Sequence, residues 1–385
     1  MVVDRFELRS PVLEKEHAHH LDKWFGFVAA TKARHVTLDF SPVLHSNHCI
    51  AASPKDFRLL ANQVNGWSSS CCTDGIVSLF LSYVCLELPP VTDGSLLRSK
   101  TLKKLELKCV VNLGDATPFI ANCPALEWLS ISNSWIRHLV VPQASCLHYL
   151  RLKSAGLQSI HLNATSLTTF EYEGSPSVPI KTNNALKLSQ ASILLNWLND
   201  TVDDFWDELS GCLAPVDRLV LRFRMCRKTR LINNPIKFIH LRHLTLFCDI
   251  LGDPESALGV LRLTQILESA PQLEHFVLHM DSYDSRSLFL KTADSIHPHV
   301  HHHLKTVQMT GVLGLSGQLE LAKYILLSAD ALEFMALNLA RIRTQHVKLD
   351  YPYFTMLEKF AKNYLDPQGV YSDVLKIVGP SLTCH

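Results

Sequence analysis

Apolar and polar positions along this chain follow a short rule that recurs. In "CPALEWLSISNS", Cys123 to Ser134, apolar Leu129 and Ile131 alternate with Trp128, Ser130 and Ser132. Period-2 alternation predicts a half-buried strand. Written as LxxLxL with any apolar residue at its three anchors, the same rule starts at Val3, Ala33, Ile76, Leu102, Leu126, Leu147, Leu167, Leu188, Val216, Leu241, Leu273, Leu304 and Leu332. From Leu102 onward the steps between starts are 24, 21, 20, 21, 28, 25, 32, 31 and 28 residues. A single match carries little weight in a chain that is 47% hydrophobic. The succession of steps is what specifies the architecture.

Steps in and near 20–29 residues are those of leucine-rich repeats. One strand and its return segment cannot bury their own apolar face, so neighbours stack and share a core. The fold class expected is therefore α/β: a leucine-rich-repeat solenoid of about thirteen strand rungs over residues 1–340, with a continuous parallel β-sheet. Helices are expected on the convex side at both ends, and mostly extended returns in the middle. Between Leu126 and Leu188 the unit is too short for a full helix, and half-period motifs, "IRHLVV" at Ile136 and "LQSIHL" at Leu157, predict extended segments on the return side. Longer steps leave room for helices in "EKEHAHHLDKWFGFVAATKA", "ILLNWLNDTVDDFWDELSGC", "SALGVLRLTQILESA" and "GQLELAKYILLSAD", where apolar residues fall at three-to-four spacing.

Two regions interrupt the pattern. Between Ala33 and Ile76, "SNHCIAASPKDF" and "NGWSSSCCTDG" read as loops. After Ala340 the tail predicts a helix, a Pro-Gly turn and a last apolar strand, a C-terminal cap over the final repeat. Val3 to Leu8 already fits the strand rule, directly after Met1. An uncovered first strand is an aggregation liability, so a further segment upstream, or a partner at this end, is expected.

Composition narrows the function. With 37 basic and 36 acidic residues the net charge is +1, which speaks against a non-specific nucleic-acid binder. No apolar run reaches the length of a membrane helix, and "MVVDRFELRS" is not a signal peptide. The 11 cysteines form no CxxC pair. Reduced thiols and a cytoplasmic or nuclear protein are expected, with Cys109, Cys123 and Cys146 serving as small packing groups beside strands.

Several segments resemble a known family. "HLDKWFGFVAATKARHVTLDF", "CPALEWLSI", "FIHLRHLTLF" and "APQLEHFVLHM" are similar to the post-F-box regions of plant F-box/leucine-rich-repeat proteins. "HLKTVQMTGVLGLSGQLELAKYILLSADALEFMAL" resembles the C-terminal FBD module of that group, which implies FBD-like repeats and a cap over residues 300–385. The resemblance implies a scaffold whose repeats hold a protein substrate for a cullin–RING ubiquitin ligase. No segment here matches the family's F-box, so a Skp-type adaptor is expected as a partner only if an F-box lies upstream. The alternatives are a repeat-only decoy or adaptor and a phosphate or small-molecule receptor.

Candidate contact residues are those between the anchors, which point out of the sheet. Lys104, Lys108, Trp128, Tyr149, Arg151, Lys153, Arg218 and Arg222 form the expected partner-binding set, because Trp, Tyr and Arg most often dominate binding energy. Glu106, Ser130, Ser132, Thr169, Glu171, Glu173, His243, Phe247, His275 and His279 are expected on the same face. The run "RFRMCRKTR" could hold an anion. "HAHH" and "HPHVHHH" invite a metal, but the latter leads straight into a strand that would splay its rings, and no metal or other cofactor is expected. "GVLGLSG" lacks the GxGxxG spacing of a phosphate loop and reads as a repeat turn with Ser316 capping a helix. No catalytic constellation stands out, and the chain is not expected to be an enzyme.

Overall fold

The computed structural model describes residues 3–9, 27–28, 30–41, 75–83, 99–110, 114–154, 156–183, 186, 188–195, 213–225, 238–250, 259–282, 299–314, 317–339 and 351–379. They fall into two compact units, residues 1–174 with 178–188, and residues 175–177 with 189–385.

In the first unit seven strands pair in parallel, in chain order: β1 (Arg5–Arg9), β2 (His35–Asp39), β3 (Ser78–Ser82), β4 (Lys104–Lys108), β6 (Trp128–Ser132), β8 (Tyr149–Lys153) and β10 (Thr169–Gly174). A second parallel sheet, made of β5 (Gly114–Asp115), β7 (Ile136–Val141), β9 (Ser159–Leu162) and β11 (Ile180–Thr182), takes up the half-period positions. The short helix α1 (Thr117–Asn122) lies between β5 and β6. In the second unit β12 (Gln190–Leu195), β13 (Arg218–Met225), β14 (His243–Ile250), β15 (His275–Ser282), β16 (Thr306–Val312), β17 (Phe334–Leu339) and β18 (Leu375–Val378) again pair in parallel and in order. Among its described residues the α-helices are α2 (Leu263–Glu268), α3 (Gln318–Ser328) and α4 (Tyr351–Leu365).

Thirteen of these strands begin two residues beyond an anchor start, because the first anchor ends the incoming turn and the next two lie within the strand. Register follows the same rule. Leu105 pairs with Leu129, Leu129 with Leu150, and Leu150 with Phe170, and all four are at most 1% exposed. Full burial of each such side chain contributes roughly 1.5–3 kcal/mol. On the return side Ile136, Leu139, Ile160, Leu162 and Ile180 are fully buried, so the middle coils are apolar toward the core from both sheets.

Backbone hydrogen bonds repeat with the rungs. The carbonyl before each strand accepts two amides from the next rung: Lys103 O from Glu127 and Trp128, Glu127 O from His148 and Tyr149, His148 O from Thr168 and Thr169. Leaving the strand, Tyr83, Cys109, Asn133 and Ser154 have positive φ of 46–58°. That left-handed residue turns its amide onto the carbonyl that ends the following strand, as in Cys109 N–H to Ser132 O at 2.8 Å.

The helices expected in the long steps are present at α2 and α3. Of the first, residues 27–28 and 30–31 are helical, Lys32 and Ala33 follow outside the helix, and 14–26 and 29 lie outside the described residues. The segment from Ile193 to Cys212 needs correction. Ile193 to Leu195 belong to β12, where Ala191, Ile193 and Leu195 are buried at period 2, and 196–212 lie outside the described residues. Ser316 lies outside them too, and the residue capping α3 is Gly317. At φ +91° its N–H donates to Glu320 Oε2 at 2.8 Å. Cys123 and Cys248 are buried free thiols, but Cys146 is exposed rather than packed beside its strand.

Candidate functional site

Outward residues of neighbouring rungs align into rows running across the strands. In the first unit one row holds Lys104, Trp128, Tyr149 and Thr169. Strand spacing brings the rings together: Trp128 and Tyr149 stack with centroids 4.9 Å apart and planes 2° apart. Lys104 Nζ lies 4.2 Å from the centroid of Trp128, extending the stack with a cation–π contact. Burial, and then a hydrogen bond to Glu171, push the Tyr149 phenol up to about 12.

The next row is Glu106, Ser130, Arg151 and Glu171, and the third is Lys108, Ser132, Lys153 and Glu173. Arg151 Nε lies 3.4 Å from Glu171 and Lys153 Nζ 3.0 Å from Glu173. These pairs are half exposed and contribute at most about 1 kcal/mol each, so they open readily to a competing partner. Lys104 and Lys108 make no ion pair among the described residues. Ser130 was expected as a contact residue, yet it is 3% exposed; its short side chain lies between taller neighbours and offers no surface.

Arg218 and Arg222 lie together on β13 of the second unit, so the eight candidates form two groups. There the rows carry different chemistry. Arg218, His243, His275 and Thr306 share one row, and Arg222, Phe247, His279 and Thr310 another. His243 stacks on His275 at 4.7 Å, and Phe247 on His279 at 4.7 Å. His275 Nδ1 meets Thr306 Oγ1 at 2.7 Å and His279 Nδ1 meets Thr310 Oγ1 at 2.8 Å. The Arg222 guanidinium lies 5.2 Å from the Phe247 centroid. Burial holds His243 below the usual imidazole range, helped by Arg218 and His275, and burial does the same to His279. Between the two rows run Val220, Thr245 and Val277, half-buried and uncharged. They form the floor of a trough whose walls are the ring stacks. Sequence reasoning had the wall residues on the face but passed over this floor, which the same alternation marks.

Among the described residues, three buried polar atoms here lack a hydrogen-bond partner: Asp217 Oδ1, Arg222 Nε and His243 Nδ1. Of the basic run, Arg222 is described in full, whereas 226–230 lie outside the described residues, as does "HAHH". In the second histidine run His301 is buried against Tyr324, with Nε2 3.2 Å from the hydroxyl, and His302 Nδ1 meets Asp330 at 2.8 Å. Gly311, within β16, and Gly314, just after that strand, are both in the left-handed region. Among the described residues no group of three His, Cys, Asp or Glu side chains could hold a metal. No helix among them is long and apolar enough to cross a membrane.

A family model described as the leucine-rich-repeat domain of At1g61320/AtMIF1 matches residues 3–356. No curated protein matches the chain.

Proposed function

The chain belongs to the At1g61320/AtMIF1 leucine-rich-repeat family, a plant family related to F-box/LRR proteins, and from that membership we propose that it holds a protein substrate on its outward sheet faces. The observation carrying this reading is the Lys104–Trp128–Tyr149 stack, with the open ion pairs of Arg151 and Lys153 beside it. Stacked aromatics offer contact area at little entropic loss, and the cations around them set orientation. Lys108 extends this surface, and Arg218 and Arg222 supply a second one. The scaffold performs no chemistry of its own. Its role is that of the substrate-holding part of an F-box/LRR ubiquitin ligase subunit, with residues 300–385 as an FBD-like end and a Skp-type adaptor engaged only if an F-box lies upstream.

Proximity labelling in the source tissue tests this, comparing the intact chain with the Trp128→Ala/Tyr149→Ala variant. A set of proteins labelled by the former and lost with the latter is expected; identical sets would overturn the reading. Those proteins should accumulate when cullin–RING ligases are blocked. Unchanged abundance would remove the ubiquitin role while leaving the scaffold.

A further inference from the structure

The two faces differ in charge. On the first unit Glu106, Glu171 and Glu173 stand among the cations. On the second, none of the outward positions in the three rows crossing β12 to β17 is Asp or Glu. The nearest carboxylates lie at the margins. Asp249 and Asp281 are one step further along their strands, Asp249 being 5% exposed. Before the strands, Asp217 sits ahead of β13, and Glu274 is engaged by Lys305 at 3.0 Å and Arg242 at 3.2 Å. Among the described residues Arg218 and Arg222 make no ion pair and Arg222 Nε finds no acceptor.

We propose that the trough across β13 to β15 binds an extended acidic peptide segment, its carboxylates meeting the guanidinium groups of Arg218 and Arg222. This rests on the scaffold reading and adds the chemistry of a partner at a second surface. The walls stand four residues apart along each strand, about 13 Å at 3.3 Å per residue, which admits one extended chain. Alternate side chains of that chain point to opposite walls. At the β13 end one wall finishes in Arg218 and the other in Arg222, so neighbouring acidic residues meet one guanidinium each. Each guanidinium fork can take one carboxylate in a bidentate pair, so two arginines suit two neighbouring acidic side chains. Cation–π contact with Phe247 holds Arg222 in place beforehand, which lowers the entropy lost on binding.

Fluorescence anisotropy of the full chain with short labelled peptides tests the proposal. The peptides are rich in Asp/Glu, in Asn/Gln, in Lys, or in phosphoserine. The Asp/Glu peptide should bind at least about tenfold more tightly than its amide counterpart, and Arg218→Gln/Arg222→Gln should lose about that factor. Trp128→Ala/Tyr149→Ala should leave the binding intact, and Arg218→Glu/Arg222→Glu should turn the preference toward the Lys peptide. An unchanged melting temperature shows that each variant is folded, and Arg222→Lys, which keeps the charge but not the fork, should fall between. Equal affinity for the acid and amide peptides overturns the proposal. So does binding of the phosphoserine peptide alone, or indifference to the arginine variants. None of these failures touches the proteins whose labelling depends on Trp128 and Tyr149, so the two readings fail separately.

Discussion

His301 shows how one residue sets a pH dependence. It is 4% exposed. The Tyr324 hydroxyl donates to Glu268 Oε1 at 3.4 Å, which leaves its oxygen to accept from His301 Nε2–H at 3.2 Å. Burial, with His299 and His302 nearby, pushes the imidazole down to about 4. Above the ordinary histidine value of 6.5 both folded and unfolded chains keep this ring neutral, and it has no effect on stability. Between 6.5 and about 4 the unfolded chain takes up a proton that the folded chain refuses, so stability falls as pH falls. The slope from this group is at most about 1.4 kcal/mol per pH unit. Thermal melts of the intact chain and of His301→Phe should therefore converge in their pH dependence above 6.5 and diverge below it, the variant being the flatter. Parallel curves over that window would mean His301 is not held neutral.

Elements in this fold depend on single backbone positions where rungs touch. Gly311 interrupts the register of β16 with β17 between Thr310 and Val312, at φ +78°. A Cβ there would stand 1.8 Å from the carbonyl oxygen of Met280 on β15, a backbone atom that cannot move aside. Gly369 has a similar φ of +73° but open space around it. Gly311→Ala should destabilise by more than about 3 kcal/mol in denaturant titration, whereas Gly369→Ala should lose only the left-handed penalty of about 1–2 kcal/mol. Similar losses at both would put the effect in φ alone. The contrast also marks what sequence can carry. The strand starts were legible because anchor spacing is local, and aligning anchor with anchor gives register, hence the Trp128–Tyr149 stack. The two-residue β5 and three-residue β11 are too short for any periodicity, and Ile193 to Leu195 satisfy both strand and helix spacing. Ion pairing and the burial of Ser130 depend on side-chain height across three rungs, which alternation along one rung does not encode.

At the scale of a whole unit, stability is a sum over neighbouring rungs. Each strand of the first unit hydrogen-bonds only to the one before and the one after, and the return strands β7 and β9 pair in the same order. Such an array is close to one-dimensional, so damage should stay local and fade along the chain. Leu150, fully buried between Leu129 and Phe170, is the place to test this. Leu150→Ala leaves a cavity in the middle of the stacked coils, with a loss of about 2–5 kcal/mol. Hydrogen exchange should quicken in β6, β8 and β10 and in β7 and β9 behind them, while β1 and β2, four rungs and more away, keep their rates. The binding face would then loosen around Trp128 and Tyr149 without unfolding the start of the unit. Uniform quickening from β1 to β10 would instead show one cooperative block, and the anchors would have to be counted together rather than rung by rung.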